Sequence, residues 1–195
     1  KSIVETNPEK IETLSDENKE TIITQTIEAA KNQAEGTSTD EIDLTNTIAE
    51  IVTKSDTGTA AKVLETLEEV SKESDSKLSL NVVSNLTKQE NYEEKMEILS
   101  VTSTIVEKSI TKLVEKAVEN ASTEEDLELV TNIVENSKGT IADKVINSAN
   151  NNEESKKKIT EVIVKVVEKN PEKAVEIIEK NKNTNTVLEV VKTKI

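Results

Sequence analysis

The side chains in this chain that could do chemistry are serine, threonine, lysine, tyrosine, aspartate and glutamate, because histidine, cysteine and arginine do not occur. A serine activated by a lysine is one chemistry open to that set. Ser71-Lys72, Ser76-Lys77, Ser137-Lys138 and Ser155-Lys156 place the two types side by side. Neighbours on a helix point about 100° apart, so these pairs read as solvated helix faces rather than as nucleophile and base. Carboxylate acid–base work is the second option, and Glu68-Glu69, Glu93-Glu94, Glu124-Glu125 and Glu153-Glu154 supply the pairs. Sugar hydrolysis needs two carboxyls facing each other across a cleft. Glutamates at helix starts instead complement the helix dipole. No catalytic residue is expected, and the chain reads as a non-enzyme.

Cation binding is the third option. Asp40-Glu41-Ile42-Asp43 and Glu124-Glu125-Asp126 stand at matching places in the sequence. Calcium takes about six to eight oxygens, usually on a loop turned by glycine, and neither segment has that spacing. Acidity in a first helical turn after a Ser-Thr cap explains both. No metal and no cofactor is therefore expected. Lys156-Lys157-Lys158 is short and set among glutamates, which suits an acidic patch on a neighbouring copy better than a nucleic acid. Asn85-Leu86-Thr87 and Asn120-Ala121-Ser122 match the glycosylation acceptor pattern, one that arises easily by chance in Asn- and Thr-rich chains. Tyr92 and Met96 are the only tyrosine and methionine, four residues apart. That spacing puts them on one face with Leu99, as a core or seam contact rather than a binding hot spot.

The elements that must position these residues repeat. Ser38-Thr39-Asp40-Glu41, Ile51-Val52, Ser55, Gly58-Thr59 and Lys62-Val63 return as Ser122-Thr123-Glu124-Glu125, Ile133-Val134, Ser137, Gly139-Thr140 and Lys144-Val145. The spacing is about 82 residues, longer than the ~33–47 of common helical repeats, so each copy should hold several helices. Ile3-Val4-Glu5-Thr6-Asn7-Pro8-Glu9-Lys10 also returns, about two periods later, as Val166-Val167-Glu168-Lys169-Asn170-Pro171-Glu172-Lys173. The chain divides into a remnant (1–37), copy one (about 38–121) and an incomplete copy two (about 122–195) in one continuous array. It starts and stops inside a repeat, which reads as a piece cut or processed from something longer.

Apolar residues recur at helical spacing throughout. Leu44, Ile48, Ile51 and Val52 form one stripe, and Ala60, Val63, Leu64 and Leu67 the next. Val106, Ile110, Leu113, Val114, Ala117 and Val118 form a third, and Ile159, Val162, Ile163, Val166 and Val167 the cleanest. The pattern predicts helices at 8–14, 16–34, 40–54, 59–73, 76–88, 92–100, 103–120, 123–136, 140–149, 153–169, 171–180 and 185–194. Asn7 and Asn170 should cap helices that open on Pro8 and Pro171, with Ser15, Thr39, Thr123 and Asn152 as further caps. Gly36, Gly58 and Gly139 mark helix ends or starts. The fold class is all-α: a tandem helical repeat forming an elongated α-solenoid or stacked-helix rod.

Hydrophobic and charged residues each make up 33%, a lean core suited to a thin body, and the net charge is −14. Such acidity without arginine or aromatic clusters argues against nucleic acid and anionic membrane surfaces as partners. No run approaches the ~20 apolar residues of a membrane span, and the first residues are not a signal peptide. Sparse rings and sulfur suit a protein made in bulk and lost to the outside; compositional drift in a repetitive gene explains them equally well. The expected function is a non-enzymatic structural repeat of a cell-surface or secreted rod, adhesin shaft or self-assembling filament, with the chain itself as partner. Ile3, Val4 and Pro8 at one end, and Val166, Val167 and Pro171 at the other, are the candidate self-association residues. An intracellular scaffold with a concave binding face is the alternative, although the aromatic or arginine anchors it would use are missing.

Overall fold

A chain rich in valine, isoleucine and threonine has weak intrinsic helicity, so its helices must bury their stripes against one another to persist. The computed structural model describes residues 8–36, 43–72, 77–137 and 139–181. Among these every regular element is helical. A 3-10 segment spans Pro8–Thr13, followed by α1 (Asp16–Ala34), α2 (Leu44–Lys54), α3 (Thr57–Lys72), α4 (Leu78–Leu86) and α5 (Tyr92–Thr102). Then come α6 (Thr104–Asn120), α7 (Glu124–Asn136), α8 (Thr140–Asn147), α9 (Glu153–Lys169) and α10 (Pro171–Lys180). The predicted helix at 185–194 lies outside the described residues, as do Ile3, Val4, Asn7 and Thr39.

Several boundaries differ from the reading of the sequence. Pro8–Thr13 is 3-10 rather than α, because Ser15 opens α1 directly behind it and leaves too few residues for a stable α-turn series. Ser15 sits at the N-cap but makes no side-chain capping bond. Gly58 lies inside the first turn of α3, because Asp56 rather than the glycine holds that helix start: its Oδ1 accepts from the Thr59 N–H at 2.8 Å. α8 is shorter than expected and runs on as a 3-10 turn, Ser148–Asn150. Other caps form as read. Asn152 accepts from the Ser155 N–H, and Asn170 from the Lys173 N–H ahead of Pro171. Gly36 follows α1 at φ 72°, where a side chain would be strained.

The packing forms two rows. α1 packs on α3, α3 on α6 and α6 on α8; beside them the 3-10 segment packs on α2, α2 on α4, α4 on α7 and α7 on α9. The contacts α1–α2, α2–α3, α4–α6 and α7–α8 join the rows, and α5 lies across α3, α6 and α8. The core runs between them as one cluster, from Ile11 and Ile23 through Ile51, Leu67, Leu80, Met96 and Ile133 to Ile163 and Ile177. Each Val, Leu or Ile fully buried this way stabilises by about 1.5–3 kcal/mol before entropy is charged. The stripes are therefore what hold the helices in place.

Candidate functional site

Many of the side chains that could do chemistry make contacts within or between helices. Ser71 is buried and accepts from the Ser79 hydroxyl at 2.9 Å, while its neighbour Lys72 pairs outward with Glu68 at 2.9 Å. Ser155 is buried, and Ser137 is fully buried. Ser76 and Lys138 lie outside the described residues. In Ser71-Lys72 the serine hydroxyl and its own lysine turn to different partners. The carboxylate pairs diverge likewise. Glu68 accepts from the Ser109 hydroxyl at 2.6 Å, which holds its carboxyl below the ordinary range against the effect of burial, while Glu69 is exposed. Glu154 pairs with Lys158 at 2.9 Å and Glu124 with Lys165, whereas Glu153 and Glu125 face solvent.

The acidic helix starts differ from each other. Asp43 caps α2 and accepts from the Thr45 hydroxyl at 2.6 Å, the Asn46 N–H at 3.0 Å and the Asn85 amide at 3.3 Å. Burial would raise its carboxyl, and these donors outweigh it, so the pKa falls. Asp126, at 1% exposure, completes a capping box with Thr123 and receives the Lys77 ammonium at 2.6 Å. It also accepts from the Ser122 and Thr123 N–H groups, at 3.1 and 2.9 Å. Burial again opposes ionisation, yet Lys77, the Thr123 hydroxyl and the backbone donors hold the group at about 2. Asp40, Glu41 and Ile42 lie outside the described residues. Among the described residues, no three acidic side chains converge as a metal site.

A clamp on the turns between helices is the most developed polar arrangement. The Lys95 ammonium, on α5, donates to the Ser55 carbonyl at the end of α2. The N–H of that same peptide group, on Asp56, donates to Glu12 of the opening segment. One peptide unit is thus held by side chains from elements before and after it in the chain. The lysine-to-carbonyl half of the arrangement recurs at the end of α7, where the Lys173 ammonium from α10 donates to the Ser137 carbonyl and pairs with Glu176 at 2.9 Å. Beside it the Tyr92 hydroxyl donates to the Asn136 carbonyl at 3.3 Å and to Glu93 at 2.5 Å. Tyr92, Met96 and Leu99 are all buried, in the seam that their spacing suggested.

These bridges share a sequence separation. Lys95–Ser55 spans 40 residues, Asn85–Asp43 42, Ser109–Glu68 41, Lys165–Glu124 41, Lys173–Ser137 36 and Asn181–Asp143 38. The sequence alone pointed to about 82, and bridges of about 40 residues were not legible there, because each joins side chains on different helices.

Three of the self-association candidates, Val166, Val167 and Pro171, fall at the α9–α10 junction. Val166 is buried in α9, Val167 is half-buried, and Pro171 is exposed at the start of α10. Pro8 opens the 3-10 segment. A cleft of about 230 Å³ lies between α3, α6 and the start of α9. Its lysines are already paired along their own helices: Lys72 with Glu68 and Lys112 with Glu115 at 2.7 Å, and Lys116 with Glu119 at 3.3 Å. Among the described residues, each charge lining the cleft has a partner of opposite sign. Among the described residues no helix is long and apolar enough to cross a membrane. Compared with known protein families, with curated proteins and with solved structures, the chain matches none.

Proposed function

We propose that this chain is a non-enzymatic structural repeat of a cell-surface or secreted rod, shaft or self-assembling filament. It is an elongated α-solenoid whose sequence unit of about 82 residues folds as two stacked halves of about 40, close to the length of familiar two-helix repeats. The observation that carries this reading is the recurring clamp, Lys95 on the Ser55 carbonyl and Lys173 on the Ser137 carbonyl. A contact made twice, at matching places in two sequence copies, supports one building block used again. Bridges of similar length from Asn85–Asp43 to Asn181–Asp143 support stacking of successive units.

The work of such a protein is mechanical. Buried stripes join each unit to the next, and the acidic exterior keeps rods soluble and apart. The near-copies Ile3–Lys10 and Val166–Lys173 would let one chain continue the stacking of another. Such a head-to-tail contact is heterologous and grows into an open filament. Negative-stain electron microscopy of the purified chain at neutral pH and moderate salt tests this. Filaments of constant width are expected. Uniform short particles that never join would overturn the filament reading and leave a spacer or a scaffold.

A further inference from the structure

Among the described residues no close packing joins α1, α2 or α3 to α8, α9 or α10, and each helix packs closely only on helices up to three places away in the chain. Polar bridges are as local. Lys144 and Thr111 are 33 residues apart, Lys158 reaches the Glu119 carbonyl 39 residues back, and Lys77–Asp126 spans 49. No cysteine is available to fasten distant parts covalently. The outermost described elements have the fewest neighbours: the 3-10 segment packs closely on α2 alone, and α10 on α9 alone. Side chains tie both back. Glu12 accepts from the Asp56 N–H, Lys173 donates to the Ser137 carbonyl, and the Asn181 amide donates to Asp143 at 3.3 Å.

Contacts of this kind act in series. A load on the two ends of the chain passes from each helix to its neighbours, and releasing an outer helix disturbs only the few packed beside it. A released stretch of about 40 residues, drawn straight, spans about 130–145 Å, against ~8–10 Å for a step between packed helices. Each release therefore takes up much extension. Re-forming the contacts needs loops of only about 40 residues to close, and pairings of low sequence separation form fast. We propose that this chain is a reversibly extensible element, which releases helices from its ends in small groups under tension and takes them back as tension falls. The clamp lysines are the catches. Lys173 with Asn181 fastens α10 to α7 and α8, and Lys95 fastens α5 to the end of α2. Extensibility belongs to the single chain and is independent of end-to-end growth.

Pulling single full-length chains by their termini in optical tweezers tests this. A series of lengthening steps is expected, none longer than the roughly 130–145 Å of one released stretch, and each should re-form on relaxation. Lys173→Met should lower the force of one step and leave the others unchanged. Asp143→Ala, which removes only the tie from Asn181, should act on that same step. Lys95→Met should lower a different one. A single event that releases the whole chain, steps that do not re-form on relaxation, or a fall of every step together in Lys95→Met overturns the proposal.

Discussion

α2 and α7 open matching stretches of the two sequence copies, yet they solve the same problem with different chemistry. At α2 the cap itself is a carboxylate, Asp43, served by neutral donors from Thr45, Asn46 and Asn85. At α7 the cap is Thr123, and the carboxylate has moved to Asp126, buried and tied to Lys77. The far ends of the two helices agree instead, each closed by a lysine from a later helix, Lys95 or Lys173. The two helices are thus closed alike at their ends and capped differently at their starts. A helix start needs its N–H groups satisfied and accepts several partners; a carbonyl turned inward at a helix end needs a donor long enough to reach it.

The core should show the likeness most strongly. Ile51 and Ile133 occupy matching places, each 1% exposed. Ile51→Ala and Ile133→Ala should each cost about 3–4 kcal/mol in urea unfolding. If the two stretches are one unit, the losses agree to within about 1 kcal/mol, and a larger gap breaks the comparison.

The helix starts should separate them. Asp126→Asn removes a buried carboxylate with a charged partner and should cost about 2–3 kcal/mol at pH 7; Asp43→Asn, with neutral partners, should cost about 1 kcal/mol. The folded carboxyl of Asp126 is held at about 2, against ~3.9 unfolded. Its contribution is thus full above pH ~4–5 and is lost as pH falls toward 2. Urea midpoints of the wild type and Asp126→Asn should therefore converge across that window. Parallel curves would show that Asp126 is not ionised by preference in the fold.

The clamps come next. Lys95→Met and Lys173→Met each leave an inward carbonyl without its ammonium and should cost about 1–3 kcal/mol. Lys173, the more buried, should lose more. The smallest effect belongs to the exposed bridge Lys62–Glu20 between α1 and α3, at 2.9 Å. Glu20→Gln should cost under ~1 kcal/mol, and the difference should vanish in 1 M salt.

How much of this could be read from the chain depends on which interaction sets each feature. Stripes such as Ile159–Val162–Ile163–Val166 repeat at helical spacing, so α9 and its bounds were legible residue by residue. Asn152 and Asn170 acted through neighbours three residues on, which local sequence displays. The clamps were not legible, because a lysine followed by a methionine or an alanine gives no sign of a carbonyl about 40 residues earlier. The Lys77–Asp126 bond likewise joins a residue beside one helix start to another start 49 positions away. Pro8 and Pro171 share the sequence Asn-Pro-Glu-Lys but open a 3-10 segment and an α-helix, because Ser15 stops the first and Ile177 and Ile178 carry the second on.

Small-angle X-ray scattering of this chain, beside a version carrying residues 38–121 twice in tandem, tests most directly that units stack along one axis. Stacking along one axis predicts an unchanged cross-section and a longest dimension increased by about 16–20 Å, two helix-to-helix steps of ~8–10 Å. A particle that thickens in every direction as residues are added would contradict it.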